Sequence, residues 1–440
     1  MLFLDGISNV DDEDIVALDR LGEGSSRTSL ASVAWRATPG PSLVVEQRVH
    51  AVRRRLFNRH SINAIEERAY DEEVSYRASA SRALVAGVVD AGAQVGRTAS
   101  SYAPIEGEAA QAVGVRAYAA MAFEGSSWQR SGYVHFASRP FSGVTVASGL
   151  RVTGSTRLHR PVVSRWLTGE WAFTPGWKLG AAAGVSHQLP ELRHLLGGGT
   201  GVALAAERAT HVNVAIEQRL GGSVRWQATV FDRRERDLVR EPDAYPRLFG
   251  GALVEPDAPG RRGGSLCGSS RGIELLVEHR PDSGLAGWAA YSYGRARQTD
   301  LESGETFPAD FDQRHAVTLF GQYRLSPRTS VGATFRAGSP LPLAGYFASR
   351  DGTLYMAEQR NRVRLPAYAR LDVRGERRFR AVGRNITVFA EVLNLLDRRN
   401  LGPGAGHVRP SGGEAVGFTT PLMPRLATAG VVVDVLRSPR

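Results

Sequence analysis

The sequence contains one cysteine, Cys267, one lysine, Lys178, and no run of about twenty apolar residues. A single cysteine excludes a disulfide within the chain, and no second cysteine or histidine lies close enough in sequence to make it part of a metal-binding motif. A membrane-spanning helix needs about 20 consecutive apolar residues. The sequence therefore excludes a helical membrane protein, but not a β-barrel, whose apolar residues alternate with polar ones.

The chain also lacks the short motifs of common enzymes. It has no H-E-x-x-H, no G-x-S-x-G, and no P-loop lysine after the Gly197–Gly199 run. Its 55 basic and 44 acidic residues give a net charge of +11, a balance that can indicate a nucleic-acid partner. Because the arginines are spread over alternate strand positions instead of being clustered, we expect no nucleic-acid partner. We likewise predict no enzymatic activity and no cofactor.

Strand-like segments are joined alternately by tight turns and long connections. The tight turns are Thr38–Pro41, Leu84–Gly87, Ser138–Ser142, Thr174–Gly176, Leu220–Ser223, Pro281–Gly284, Leu325–Arg328 and Phe379–Arg384. The long connections are Arg54–Tyr70, Ser100–Trp128, Gly154–Val162, Leu189–Glu207, Arg234–Ser270, Gln298–Gln313, Gly338–Val363 and Leu395–Pro424. Strict alternation places every long connection on one side, which is typical of transmembrane β-barrels of outer membranes.

Apolar and polar residues alternate along the predicted strands. In Leu365–Gly375 the odd positions are apolar, whereas the even positions include charged residues that period-two geometry places together on the other face. We predict that these residues form a lumen-side salt-bridge ladder: Arg370, Asp372, Arg374 and Glu376. Most segments run for about 9–13 residues, near the length of a tilted spanning strand. Five of the seven tryptophans lie near the short turns, as an interfacial aromatic girdle requires.

The number of strands raises a question of closure. Eight tight turns and eight long connections predict seventeen antiparallel strands, starting near Thr28. Bacterial single-chain barrels have an even number of strands, and an open sheet edge is not viable in lipid. We therefore expect an incomplete transmembrane barrel over residues 28–440, preceded by an irregular N-terminus or extracellular loop remnant over residues 1–27.

Four segments resemble motifs of TonB-dependent outer-membrane receptors. They are Phe307-Pro308 with Phe311-Asp312-Gln313-Arg314-His315, the strand Arg364–Arg374, the segment Val388–Asn400, and Leu189-Pro190-Glu191-Leu192 followed by Glu207–His211. The resemblance extends from about Leu189 to Asn400, in the family's order and spacing. The segment before Glu207 lacks the family's usual Asn-Pro and Pro-Glu, and the chain ends without the usual terminal aromatic.

The resemblance implies an all-β fold with a 22-stranded barrel around an N-terminal plug. Seventeen strands would then correspond to strands 6 to 22. We expect the plug, the TonB-contacting box, the signal peptide and about five strands to be absent from this chain. The implied location is the outer membrane of a Gram-negative cell, with membrane lipid around the barrel.

The implied activity is energised uptake of a scarce ligand such as an iron chelate, a cobalamin or an oligosaccharide. TonB would be a partner only where a plug is present. Residues of the long connections that could touch an anionic ligand are Arg193, His194, Tyr245 and Arg247. The acidic clusters, Asp11–Asp14 and the group Glu66, Glu67, Asp71, Glu72 and Glu73, are interpreted as solvated loops.

Three alternatives remain open on the sequence alone. The chain could be a passive outer-membrane channel without a plug, or a soluble all-β binding protein such as a propeller or sandwich. It could also be a truncated gene product with no independent transport activity.

Overall fold

The structure is a computed structural model that describes residues 21–60, 66–105, 122–196, 204–240, 246–255, 263–381, 384–404, 406–409 and 413–433. Within these ranges the chain is almost entirely antiparallel β-sheet, with one short helix. None of the described helices is long and apolar enough to cross a membrane.

The secondary-structure elements follow one another along the chain, and most are long strands. They are β1 (Leu21–Gly40), β2 (Leu43–His60), β3 (Glu66–Leu84), β4 (Gly87–Ile105), β5 (Phe123–Phe141), β6 (Val144–Ser155), β7 (Val162–Thr174), β8 (Trp177–Gln188), α1 (Leu192–Leu196), β9 (Glu207–Leu220), β10 (Val224–Arg240), β11 (Arg247–Phe249), β12 (Ala252–Val254), β13 (Gly263–His279), β14 (Leu285–Asp300), β15 (Thr306–Pro308), β16 (His315–Ser326), β17 (Thr329–Gly338), β18 (Phe347–Arg350), β19 (Thr353–Met356), β20 (Tyr368–Ala381), β21 (Arg384–Leu393), β22 (Leu401–Pro403), β23 (His407–Val408), β24 (Glu414–Val416), β25 (Thr419–Pro421) and β26 (Leu426–Val433).

One large sheet contains eighteen of these strands, and each long strand pairs antiparallel with its neighbour in the chain. Seventeen are long, which confirms the predicted number, and the eighteenth is the three-residue β15. At one end of the sheet β1 pairs with β2, and at the other β26 pairs with β21. Among the described residues β1 and β26 do not pair with each other, so the barrel is not closed.

Several strands extend further than the sequence pattern indicates. The first strand begins at Leu21 instead of Thr28. The connection expected over Arg54–Tyr70 is largely strand, because β2 and β3 remain paired up to Arg59 and Glu66. At the base of this extension opposite charges meet across the two strands, because the side chains of Arg53 and Glu72 approach to 2.7 Å. The acidic residues Glu66, Glu67 and Asp71 to Glu73 therefore lie on strand β3 and not in a loop as predicted. Asp11–Asp14 lie outside the described residues.

The two faces of the large sheet differ in chemistry. Large apolar side chains are exposed on one face, among them Val33, Val49, Leu167 and Val214. The other face is polar and lines the cavities described below. The main buried apolar cluster, by contrast, lies among the long connections and consists of Leu343, Phe347, Leu365, Ala415 and Phe418. An apolar outer surface of this extent is what contact with lipid requires.

Aromatic side chains cluster near the short turns of β7 to β10. Trp171 contacts Phe173 with ring centroids 5.4 Å apart, Phe173 lies 6.1 Å from Trp177, and Trp177 lies 5.7 Å from Trp226. Trp288 differs, because it pairs across the sheet with Phe320 on the polar face, at 6.3 Å. Nearness to a short turn in sequence does not decide which face a tryptophan occupies.

Candidate ligand site

A large cavity lies on the polar face, at the end of the sheet from which the long connections emerge. It has a volume of about 640 Å³ and is lined by β2 to β6 together with the segment from Leu189 to Leu195. Thr98, Ser100 and Tyr102 line it from alternate positions of β4, as period-two geometry requires for one face. Its volume is within the usual range of about 300–1,000 Å³ for small-molecule sites.

The segment that follows β8 forms one wall of this cavity. Helix α1 reaches across to contact β4 and β5, and Leu192 is buried. Leu196 approaches Gly125 so closely that a Cβ at this glycine would lie 2.5 Å from the Leu196 side chain. Position 125 therefore requires glycine if α1 is to occupy its observed place.

Hydrogen bonds fix the polar wall of the cavity. The Ser127 and Ser155 hydroxyls lie 2.8 Å apart, and the Ser100 hydroxyl donates to Asp71 at 2.7 Å. Arg157 donates through Nε and Nη2 to the carbonyl oxygen of Ser126, at 3.1 and 3.0 Å. Binding to a neutral carbonyl orients this guanidinium while leaving its positive charge uncompensated.

The cavity combines positive charge with an aromatic surface. Arg54, Arg157 and Arg193 line it together with two acids, Asp71 and Glu191. The rings of Tyr102 and Phe123 stack on the same wall with centroids 6.3 Å apart and planes 22° from parallel. This arrangement suits an anionic ligand that carries a planar or apolar part.

The four predicted ligand contacts are not brought together. Arg193 lines the cavity and pairs with Glu191 at 2.7 Å. His194 lies on α1 but is not among the lining residues. Arg247 lies elsewhere, with its guanidinium 4.6 Å from the ring centroid of Tyr346 and 3.9 Å from Glu305. Tyr245 lies outside the described residues.

Sequence reasoning missed Arg157, Tyr102 and Phe123, which the structure places at the cavity. Tyr102 and Phe123 were assigned to the long connection Ser100–Trp128, whereas β4 continues to Ile105 and β5 begins at Phe123. The sequence did contain a signal for Tyr102. It continues the alternation of inward-facing positions on β4 that includes Thr98 and Ser100.

A second group of polar residues fastens the long connections. Asp312 is 1% exposed and accepts hydrogen bonds from the Ala296 N–H at 2.7 Å, Arg314 Nε at 2.8 Å and Arg364 Nη2 at 2.7 Å. Burial alone would raise the pKa of Asp312, but the Ala296 N–H and the two guanidinium groups outweigh it, so its pKa lies below the ordinary value. Two of the resembling motifs thus meet at one ion pair.

Three asparagines also hold the long connections in place through hydrogen bonds. Asn361 donates to Pro308 O at 2.7 Å and to Asp310 at 2.6 Å. Asn394 donates to Arg398 O and Met423 O, both at 3.1 Å. The Asn400 amide exchanges hydrogen bonds with the Ala369 backbone at 3.0 and 2.8 Å. Asn361 and Asn394 have φ of 60° and 51°, a left-handed conformation that asparagine tolerates.

The predicted ladder residues lie on the polar face of β20. Arg370 contacts Asp372 at 2.6 Å, and Asp372 also accepts from the Asn394 N–H at 2.9 Å. Arg374 lies 3.7 Å from Glu376 and 3.9 Å from Glu391. Asp372, Arg374 and Glu376 line a smaller cavity on this face. That this wall would face a plug stays a prediction.

Among the described residues, no group of three or more His, Cys, Asp or Glu side chains could hold a metal ion.

The comparisons with known proteins give the family. A sequence profile described as "TonB dependent receptor-like, beta-barrel" matches residues 128–395, which is more than half of the chain. The chain therefore belongs to the TonB-dependent receptor family, whose barrels are outer-membrane proteins. Members of this family are transport receptors and not enzymes, in agreement with the sequence prediction.

No curated protein matches the sequence. Among solved structures, the ferric-catecholate import receptor Fiu from E. coli K12 is 13% identical with a TM-score of 0.65, and the match covers 93% of this chain and 64% of that one. The copper transporter OprC is 13% identical with a TM-score of 0.67, over 93% and 65%. The siderophore receptor PiuA from Acinetobacter baumannii is 11% identical with a TM-score of 0.67, over 93% and 64%.

These identities show a shared fold. The chain spans slightly less than two thirds of the length of each of these receptors. The family assignment removes the soluble propeller or sandwich from the alternatives left open by the sequence.

Proposed function

We propose that this chain is the barrel of an outer-membrane uptake receptor, and that its ligand occupies the cavity at the long-connection end of the lumen. The family match supports the class of protein, and the cavity bounded by β2 to β6 and α1 supports the place. Coupling to TonB is proposed only for a form of the protein that carries a plug.

Within the three ligand classes considered, the cavity favours an anionic, aromatic iron chelate. Arg157 presents a guanidinium oriented by Ser126, and Tyr102 and Phe123 offer a stacked aromatic wall. An oligosaccharide without charge would leave this guanidinium without an anionic partner. Two of the structural neighbours are described as a ferric-catecholate import receptor and a siderophore receptor, which agrees with this choice.

Binding of a defined probe tests the proposal. The ferric complex of 2,3-dihydroxybenzoate is anionic and aromatic, and its binding to the detergent-solubilised protein can be followed by quenching of tryptophan fluorescence. We expect Arg157→Gln to weaken binding at least tenfold, since a hydrogen bond to a charged group contributes about 1.5–3 kcal/mol.

The matched control is Arg151→Gln. Arg151 lies on the polar face of β6 and donates to Ser131 at 2.9 Å, but it does not line the cavity. Equal losses in both variants, or no binding to the unaltered protein, would contradict the proposed ligand class. Solute entry into proteoliposomes without any probe binding would favour the passive channel instead.

A further inference from the structure

Arginines recur at one height on the apolar face of the large sheet, which we call the outer face because it points away from the cavities. On β2, Val49 and Ala51 lie on this face, and Arg53 and Arg55 follow at the next alternate positions. On β4 the outer position after Val95 is Arg97. On β1 to β5, five outer-face arginines lie between ten and thirteen residues from the short-turn end of their strand, and we call them the arginine belt: Arg27, Arg53, Arg55, Arg97 and Arg130.

The height of the belt corresponds to the edge of a membrane. Arg53 is ten residues from the first residue of β2, and Arg97 is ten residues from the first residue of β4. Ten residues at about 3.3 Å each, tilted by about 40°, rise roughly 25 Å, which is the height of the apolar band of an outer-membrane barrel. The guanidinium groups therefore begin where lipid tails give way to headgroups.

The charge of the belt is mostly uncompensated. On the described strands β1 to β5, the acid at the same height on this face is Glu72, against five arginines. Glu72 contacts Arg53 at 2.7 Å and Arg97 at 3.8 Å. Three members of the belt form neither an ion pair nor a side-chain hydrogen bond with any described residue. They are Arg27, Arg55 and Arg130.

The same pattern appears on the far side of the sheet. On β13 and β14, Arg271 and Arg295 face each other on the outer face, directly above the exposed pair Ile273 and Tyr293. A merely solvated face would need neither this recurrence nor a fixed position at the top of an apolar band. Trp128, 46% exposed on the outer face of β5 beside Arg97, has the amphipathic character of an interfacial residue.

We propose that the arginine belt binds phosphate groups of lipid headgroups in the leaflet on the long-connection side. Guanidinium groups bind phosphate oxygens through paired hydrogen bonds. A phosphorylated headgroup would meet the belt while its acyl chains contact the apolar positions below. This surface is separate from the ligand cavity, so the proposal does not depend on the proposed uptake function.

Lipid retention by the purified protein tests this. The detergent-solubilised chain is titrated with phosphatidic acid or with phosphatidylcholine, and bound lipid is counted by native mass spectrometry. We expect phosphatidic acid to be retained in preference. Each basic residue near a lipid surface changes affinity about fivefold, so the triple variant Arg27→Gln, Arg55→Gln, Arg130→Gln should lose on the order of 100-fold in affinity.

The matched control is Arg48→Gln, Arg77→Gln, Arg151→Gln, which removes three arginines from the inner face with the same change in charge. It should retain phosphatidic acid within about twofold of the unaltered protein. A gel shift between unheated and boiled samples verifies folding. If the triple variant does not fold, Arg130→Gln alone should lose about fivefold.

Three results would overturn the proposal. They are equal retention of the two lipids by the unaltered protein, an equal loss in the inner-face control, and displacement of phosphatidic acid by millimolar inorganic phosphate, which would indicate a site for a soluble anion.

Discussion

At the scale of the residue, buried polar side chains hold together the parts of this protein that an apolar core would hold in a soluble one. The most buried large side chains among the described residues are Asp312, Asn361 and Asn394. The sheet turns its apolar residues outward, so hydrogen bonds of buried side chains act together with the small apolar cluster around Phe347 to fix the connections at the long end. Such bonds are costly to leave half made.

Asp312→Asn tests this role. The variant keeps the shape of the side chain but removes the charge that Arg314 and Arg364 both contact. We expect the connection between β17 and β20 to open more readily by about 2 kcal/mol, the usual contribution of a hydrogen bond to a charged group. Hydrogen exchange of the Ala296 amide and of the segment around Arg364 measures the change.

The control is Asp351→Asn, an exposed position in the same connection with φ of 50°, which asparagine accepts. It removes the same charge and should leave exchange unchanged. A similar loss of protection in both variants would show that charge in general, and not the Asp312 contacts, fixes the connection.

The lowered pKa of Asp312 predicts a dependence on pH. A carboxylate with a pKa lower in the folded than in the unfolded state stabilises the fold above its ordinary pKa, and this contribution is lost as pH falls through the folded value. Protection of the connection should therefore hold from pH 7 to about pH 5 and decline below about pH 4. The Asp312→Asn variant should not show this decline; a decline of the same size would locate the titration elsewhere.

At the scale of the element, the segment after β8 forms one wall of the ligand cavity, so the cavity depends on where this segment packs. Helix α1 has only five residues and cannot be stable alone. Its position depends on contact with β5 at Gly125 and on the burial of Leu192. The cavity is thus a product of docking between elements distant in sequence.

Gly125→Leu should displace α1, because the added side chain would overlap Leu196. We expect faster proteolytic cleavage between Leu189 and Glu207 and weaker binding of the ferric probe, with the strands intact by circular dichroism. Gly169→Leu is the control, since nothing lies within 4 Å of a Cβ at that position. Unchanged cleavage in Gly125→Leu would show that α1 does not depend on this contact.

At the scale of the whole molecule, the large sheet has one apolar face and one polar face. This division decides which environment each face can contact. Val214 is 47% exposed on the outer face of β9, whereas its neighbour Asn213 lies on the inner face. A soluble protein would not expose so many large apolar side chains on one surface. We therefore predict that the outer face contacts lipid.

Val214→Arg and Asn213→Arg form a matched pair for this prediction. The outward arginine should cost about 2–4 kcal/mol of folding stability in a bilayer, as basic residues do near the midplane of a barrel wall, whereas the inward one should be tolerated. Urea titration in phospholipid vesicles measures the difference. Equal effects of the two substitutions would mean that this strand does not face lipid on the Val214 side.

The features of the fold that could be predicted from the sequence are those set by residues close together in the chain. Seventeen strands and their turns followed from period-two alternation and from Gly and Pro punctuation. The connection Arg54–Tyr70 was misjudged because its polarity suggested a loop, whereas β2 and β3 remain paired beyond the ion pair of Arg53 and Glu72 at its base. Arg247 was proposed as a ligand contact, and nothing local indicates that it packs on Tyr346, about a hundred positions further along the chain.

The sequence by itself determined the β-sheet, the order and number of its long strands, the end at which the long connections emerge, and the family. All of these follow from residue alternation and turn chemistry, which act over a few neighbouring positions. Only the tertiary structure decided which side chains meet across the lumen. Arg157, Tyr102 and Phe123 come from three different stretches of the chain and converge because strand register and the path of α1 place them there.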